Sequence, residues 1–427
     1  MLPYIFRGAD FPGFLIEGWS RGGALDMLRA APGNLPPAEP YLCIVPLLDA
    51  WRVDGGMTAQ AGAPHFSAAL EPAVLDDLRA GRALLVLDMS NEGTAWHGNL
   101  FDALHGFAAE TGIALSRLVW LDQNRTLPGH YRAYSRGDRA EGIGFEHYDF
   151  FVKHALWMFS PRNPTPVLGT DPETHIASMF DPAGKDRLLL CLNATPRLHR
   201  VLALAGLMHH GLFEDSLVSF PGIDHGKDHD VASAARIEAY LAEHPDFAHL
   251  GESCRRVLGL RGLRVDAFPQ TGNALFDRID PAPYRRTYFS LVTETEATSD
   301  QVERVTEKIV KPLCLGHPTL VLGNPRSLGF MADLGFHDAG HAIDRGYDRD
   351  WNQTRRMNRV LGVAAGLAMA IRMNPAGWLA GLREAGAANV RHAASGRALD
   401  AYVARHERPM LERLHRRLHG CPDAPGA

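Results

Sequence analysis

Cysteine is scarce. Only five of the 427 residues are cysteine (Cys43, Cys191, Cys254, Cys314, Cys421), an odd number with no C-x-x-C spacing. This argues against a disulfide framework and points to a reducing compartment. Long apolar runs are also missing. The longest, Val360 to Ile371, is shorter than the roughly 20 residues that span a bilayer. The opening MLPYIFRGADFPGFLIEGW lacks the basic stretch and sustained apolar run of a signal peptide. The expectation is a cytoplasmic protein with no transmembrane segment, peripheral membrane contact staying open. There is no excess of positive charge either: 44 Lys and Arg stand against 49 Asp and Glu, a formal net charge of -5. A nucleic-acid partner is therefore not expected. No solenoid repeat and no low-complexity tract is present.

What is present is ordinary globular composition, 46% hydrophobic and 22% charged, in a chain too long for one core. Strand-like runs lie at Tyr41–Leu48, Ala83–Met89 and Arg117–Asp122, with a helical pattern over Asn99–Thr111 between the last two. That order implies a parallel α/β sheet. The Pro- and Gly-rich stretch Ser160–Lys185 has connector composition. The alternation then resumes with strands at Arg187–Leu192, Ser216–Phe220, Thr287–Thr293 and Thr319–Leu322, and helices from about Arg197, Thr306 and Ser327. The expected fold class is α/β: a Rossmann-like domain over 1–180, a second over 181–351, and a helical extension over 352–427.

Chemistry concentrates at the ends of the later strands, where parallel sheets bind ligands. Glu294 and Thr295 follow one strand directly. Thr306 is a good N-cap, with Glu307 and Lys308 in the first turn of its helix. A helix N-terminus and a lysine together suit a diphosphate. Pro312 inside that helix predicts a kink. Gly323-Asn324-Pro325 reads as a tight turn that leaves space for a ligand. Asn193 ends an earlier strand, and Arg197 and Arg200, three apart, are expected on one helix face at the surface, where a guanidinium gives bidentate phosphate recognition.

These segments, LNATPRLHR and VTET followed by TEKIVKPLCLGHPTLVLGNP, resemble the donor-binding half of GT-B glycosyltransferases, notably the α-1,3-fucosyltransferases, and of bacterial glycosyltransferase-like proteins. The resemblance covers roughly one α/β domain. It implies two Rossmann-like domains facing a cleft, with C-terminal helices bracing them. It implies an enzyme that moves a sugar from a nucleotide-activated donor to the hydroxyl of a glycan, lipid or protein acceptor, with no cofactor or obligatory metal. By the same resemblance, Arg200 and Lys308 meet the diphosphate, Glu307 the ribose hydroxyls, and Glu294 and Thr295 the sugar or its phosphate. Thr295-Glu296 stands where that group carries Asn-Ser, so the sugar need not be fucose.

The transfer needs a base for the acceptor hydroxyl. Glu92, in the loop after a strand of the first domain, is the first candidate, with Asp88 and His97 beside it. A metal-dependent hydrolase is one alternative, built on His337, His341 and Asp344 or on the Asp224–Asp230 cluster. Neither carries the full H-E-x-x-H signature. A non-catalytic protein that binds glycans or nucleotide sugars is the other.

Overall fold

In a computed structural model of the chain, residues 2–6, 27–29, 39–46, 70–91, 93, 98–135, 142–169, 171–223, 232–265, 279–297, 302–337 and 339–420 are described. The chain forms two compact units. The first comprises Met1–His154, Asp300–Arg304 and Asp400–Ala427, the second Ala155–Ser299 and Val305–Leu399.

The first unit holds a six-stranded sheet. Its strands are β1 (Leu2–Phe6), β2 (Met27–Arg29), β3 (Tyr41–Pro46), β4 (Ala83–Met89), β5 (Leu118–Asp122) and β6 (Gly144–His147). Their order is β2-β1-β3-β4-β5-β6, and every pairing is parallel. The near-continuous apolar runs of β3 (YLCIVP) and β4 (ALLVLDM) are what a strand covered on both faces requires. Helices α1 (Pro72–Arg79), α2 (Gly98–Thr111) and α3 (Leu127–Tyr134) follow β3, β4 and β5, and α4 (Phe150–Phe159) follows β6. Val74, Leu78, Phe101, Leu104, Trp120 and Tyr131 meet in the core.

The second unit begins within α4 and includes α5 (Pro172–Met179), so the Ser160–Lys185 stretch is not a linker between units. The expected boundary near 180 lies inside this unit. Proline misleads here because it starts a helix instead of breaking one: Pro172 follows Asp171, whose carboxylate accepts the amides of Glu173 (3.1 Å) and Thr174 (3.3 Å). Strands β7 (Arg187–Leu192), β8 (Leu217–Ser219), β9 (Thr287–Thr293) and β10 (Thr319–Leu322) form a second, wholly parallel sheet in the order β10-β9-β7-β8. Around it lie α6 (Leu198–His209), α7 (Ala234–Glu243), α8 (Gly251–Leu258), α9 (Glu307–Cys314) and α10 (Ser327–Asp333).

The last helices are no separate domain. α11 (Gln353–Met373) and α12 (Pro375–Ala394) belong to the second unit, whereas the segment from Asp400, with α14 (Arg408–Leu418), belongs to the first; the short α13 (Arg397–Tyr402) carries the chain between them. α11 packs closely on α6. A Cβ at Gly206 would lie 2.5 Å from the Leu361 side chain, so any larger residue there would push that side chain aside. Among the described residues no single helix is long and apolar enough to cross a membrane.

Candidate anion site at the edge of the second sheet

The order β10-β9-β7-β8 has a topological consequence. From β7 the chain steps to β8 on one side, then returns to β9 on the other. The carboxyl ends of β7 and β9 therefore flank the switch point, the crevice where open α/β sheets bind ligands. The segments after these strands carry Asn193, Arg197 and Arg200 on one side and Glu294 to Lys308 on the other.

Arg200 is the focus. It lies on α6, but inward, with 2% of its surface exposed, and not on the surface where it was expected. Arg197 precedes the helix as its N-cap residue, so the two arginines do not share a helix face. Among the described residues the terminal nitrogens of Arg200 donate only to backbone carbonyls: Nη1 to Thr195 (2.9 Å), Nη2 to Glu294 (3.2 Å) and Thr293 (3.5 Å). Among the described residues its buried Nε has no partner, and no carboxylate bonds to the guanidinium. Burial, together with the Arg197 cation, pushes Arg200 down to about 10. Beside it, the Nε2–H of His199 donates to the Glu294 carbonyl (2.8 Å). Burial first, then the charges of Arg200, Arg197 and Lys308, holds that imidazole neutral well below its ordinary range. Three cations thus act on one buried ring.

Arg197 donates to the Thr295 carbonyl (2.9 Å) and pairs with Glu296 (2.7 Å). Both contacts fall on the Thr295-Glu296 pair, the two residues that depart from the resemblance noted in the sequence. Lys308 is the more open cation, its side chain 30% exposed, with its ammonium 3.2 Å from Thr295 Oγ1 and 3.2 Å from Glu307 Oε1. Burial alone would raise the Glu307 carboxyl, but Lys308, Lys311 and its own amide hold it well below the carboxylate range. It is an ionised acceptor at any ordinary pH.

Thr306 caps α9 as expected, its hydroxyl accepting the Lys308 amide (3.4 Å). The helix start is not an open cradle, however. Glu294 is fully buried, and its carboxylate accepts the Thr306 hydroxyl (2.6 Å), the Thr306 amide (3.4 Å) and the Thr295 amide (3.2 Å). Those donors serve an internal carboxylate, so an incoming anion meets side-chain cations instead of free amides. Gly323 likewise makes room for Glu294 and not for a ligand: a Cβ there would lie 3.0 Å from Glu294 Cβ and Cγ. Asn193 is also engaged. Its Oδ1 accepts from Thr293 Oγ1 (2.6 Å), and its Nδ2 donates to the Ser219 carbonyl (3.2 Å), tying β7 to both neighbours. Pro312 lies within α9 without ending it.

One organising residue gave no sequence signal. The fully buried Arg356 of α11 donates to the carbonyls of Gly323 (2.9 Å), Ala297 (3.0 Å) and Asp350 (2.7 Å), fixing the segments after β9 and β10 from a helix that read as a mere brace.

In the first unit, Asp88 is buried at the end of β4 and its Oδ1 accepts the Ser90 amide (3.0 Å), shaping the turn that follows. Glu92 and His97 lie outside the described residues, as does the Asp224–Asp230 cluster. His337, His341 and Asp344 are not on a helix and turn to separate partners: the His337 amide bonds to Asn389, the His341 ring to the Gly381 carbonyl, and Asp344 accepts the Gly346 amide. Among the described residues no group of three or more His, Cys, Asp or Glu residues is placed to hold a metal ion. Comparison with protein-family models, curated proteins and solved structures returns no match.

Proposed function

We propose that this chain is a metal-independent glycosyltransferase of the GT-B kind, which transfers a sugar from a nucleotide-activated donor to an acceptor hydroxyl. The observation that carries the reading is Arg200: a buried guanidinium at a topological switch point that, among the described residues, is bonded to carbonyls alone, with one N–H unused. A buried cation without a bonded carboxylate is costly in an empty protein and favourable once an anion arrives. With Arg197 and Lys308 it supplies a cluster suited to a diphosphate leaving group.

Breaking the glycosidic bond moves negative charge onto that diphosphate. Cations already in place strengthen their hold as the charge develops, and in this reading they do the neutralising otherwise left to a divalent metal. Glu307, held ionised, accepts hydroxyl protons of the ribose. Asp88, Glu92 and His97 remain the candidates for the base that takes the acceptor proton.

The test is titration calorimetry and turnover with GDP-, UDP-, CMP- and dTDP-sugars. Lys308→Ala is expected to weaken donor binding and to lose about 2 to 4 kcal/mol of transition-state stabilisation. Arg200→Lys, which keeps the charge but not the fork, is expected to weaken both as well, and the double variant to lose less than the sum. Normal binding and turnover by Lys308→Ala would remove this edge as the donor site. Tight binding without turnover would favour the non-catalytic alternative.

A further inference from the structure

After β10 the chain runs Gly323-Asn324-Pro325-Arg326 into α10. Arg326 sits at φ 64° and ψ 17°, in the left-handed region. Among the described residues only Ala339 shares a positive φ without being glycine. For an arginine this conformation costs roughly 1 to 2 kcal/mol. Glycine relieves the cost, and Asn or Asp tolerates it while also capping the helix that follows.

Arginine does neither. Its side chain makes no cap bond. Capping is left to Asp348, whose carboxylate accepts the amides of Leu328 (3.1 Å) and Gly329 (3.3 Å). The backbone of Arg326 is pinned from both sides, its amide donating to the Asp348 carbonyl (2.6 Å) and its carbonyl accepting from Phe330 (2.9 Å). The residue is exposed, and its guanidinium takes no partner among the described residues. Nothing local therefore explains an arginine in preference to glycine or asparagine.

Its position supplies the explanation. β10 lies directly beside β9, and the turn after β10 packs on Glu294. Arg326 thus stands at the same sheet edge as Arg200, on the far side of β9. Two strand spacings, roughly 9 to 10 Å, separate the two segments. We propose that Arg326 is a second anion anchor of this site, so that the site selects ligands negative at two points, a nucleoside diphosphate over a monophosphate. The proposal rests on the donor-site reading above.

Titration calorimetry with UDP, GDP, UMP and GMP tests it on wild type, Arg326→Gly and Lys308→Ala, alongside thermal melting. Arg326→Gly is expected to melt at or above the wild-type temperature, because strain is relieved. It should nevertheless bind the better diphosphate roughly tenfold more weakly, the lower end for a lost hydrogen bond to a charged group. The corresponding monophosphate should change by less than about twofold, since it meets one anchor only. Arg326→Lys should recover part of the loss. If Arg326→Gly binds diphosphates normally while Lys308→Ala does not, Arg326 is a surface residue and only this proposal falls. An equal loss for mono- and diphosphate overturns the two-point selection. Failure of wild type to bind either diphosphate overturns the donor-site reading, and this proposal with it.

Discussion

The two sheets treat buried positive charge in opposite ways. In the first unit, Lys153 of α4 is wholly buried and forms an ion pair with the equally buried Glu407, which closes the π-helical turn Val403–Glu407. Tyr148 adds its hydroxyl to that carboxylate (3.3 Å), and Tyr402 exchanges hydrogen bonds with the Asp149 backbone (2.8 and 3.0 Å). The charge is neutralised from within, by a segment that returns from the far end of the chain. In the second unit Arg200 is nearly as deeply buried, yet among the described residues carbonyls are its only partners and one N–H is idle. A charge closed by its own carboxylate is architecture. A buried charge without its own carboxylate at a switch point is what the proposed anion site calls for.

Breaking the closed pair should have the largest effect. Lys153→Met strands Glu407 in the core and is expected to cost about 3 to 5 kcal/mol, whereas Lys153→Met with Glu407→Leu should return close to wild type. Urea unfolding measures both. If the single change costs less than about 1 kcal/mol, the pair is not what secures the C-terminal segment, and the contrast weakens.

The internal carboxylate of the second site gives a smaller effect. Thr306→Ala removes the cap of α9 and one of the donors to Glu294, and should lower stability by about 1 to 2 kcal/mol, with Thr306→Ser restoring most of it. Equal stability of all three proteins would mean that Glu294 does not depend on this hydroxyl.

A pH-dependent effect completes the comparison. Lys185, like Arg200, faces carbonyls, those of Thr287 (2.8 Å) and Tyr284 (3.3 Å). Being a lysine it responds by shedding its proton, and burial pushes it from 10.5 down to about 7. Between those values the unfolded chain binds more protons than the folded one, so this residue's contribution makes stability rise as pH increases from about 7 to about 10.5. Lys185→Met should lack that rise in unfolding profiles recorded at pH 7 and 9. Parallel profiles would show that the ammonium stays charged in the fold.

Much of the local structure was legible in the sequence. The expected bounds of β4, β7, β9 and β10 coincide with those observed, and Thr306 caps its helix, because apolar runs and capping hydroxyls act over a few residues. The strands Leu2–Phe6, Met27–Arg29 and Gly144–His147 were not anticipated. They are short, and pairing with distant partners defines them more than any pattern of their own.

For the candidate site, the sequence by itself determined which charged residues follow which strand, and so that Arg197, Arg200, Glu294, Glu307 and Lys308 belong to one sheet edge. It could not determine how they are used. Whether Arg200 faces inward, whether Glu294 takes the helix amides before any ligand, and whether Gly323 serves a ligand or a neighbour depend on contacts between residues up to about a hundred positions apart. The division of the C-terminal helices between the units was decided in the same way. Those choices belong to tertiary structure because burial and hydrogen-bond satisfaction are settled only when separate segments pack together, and no local propensity encodes them.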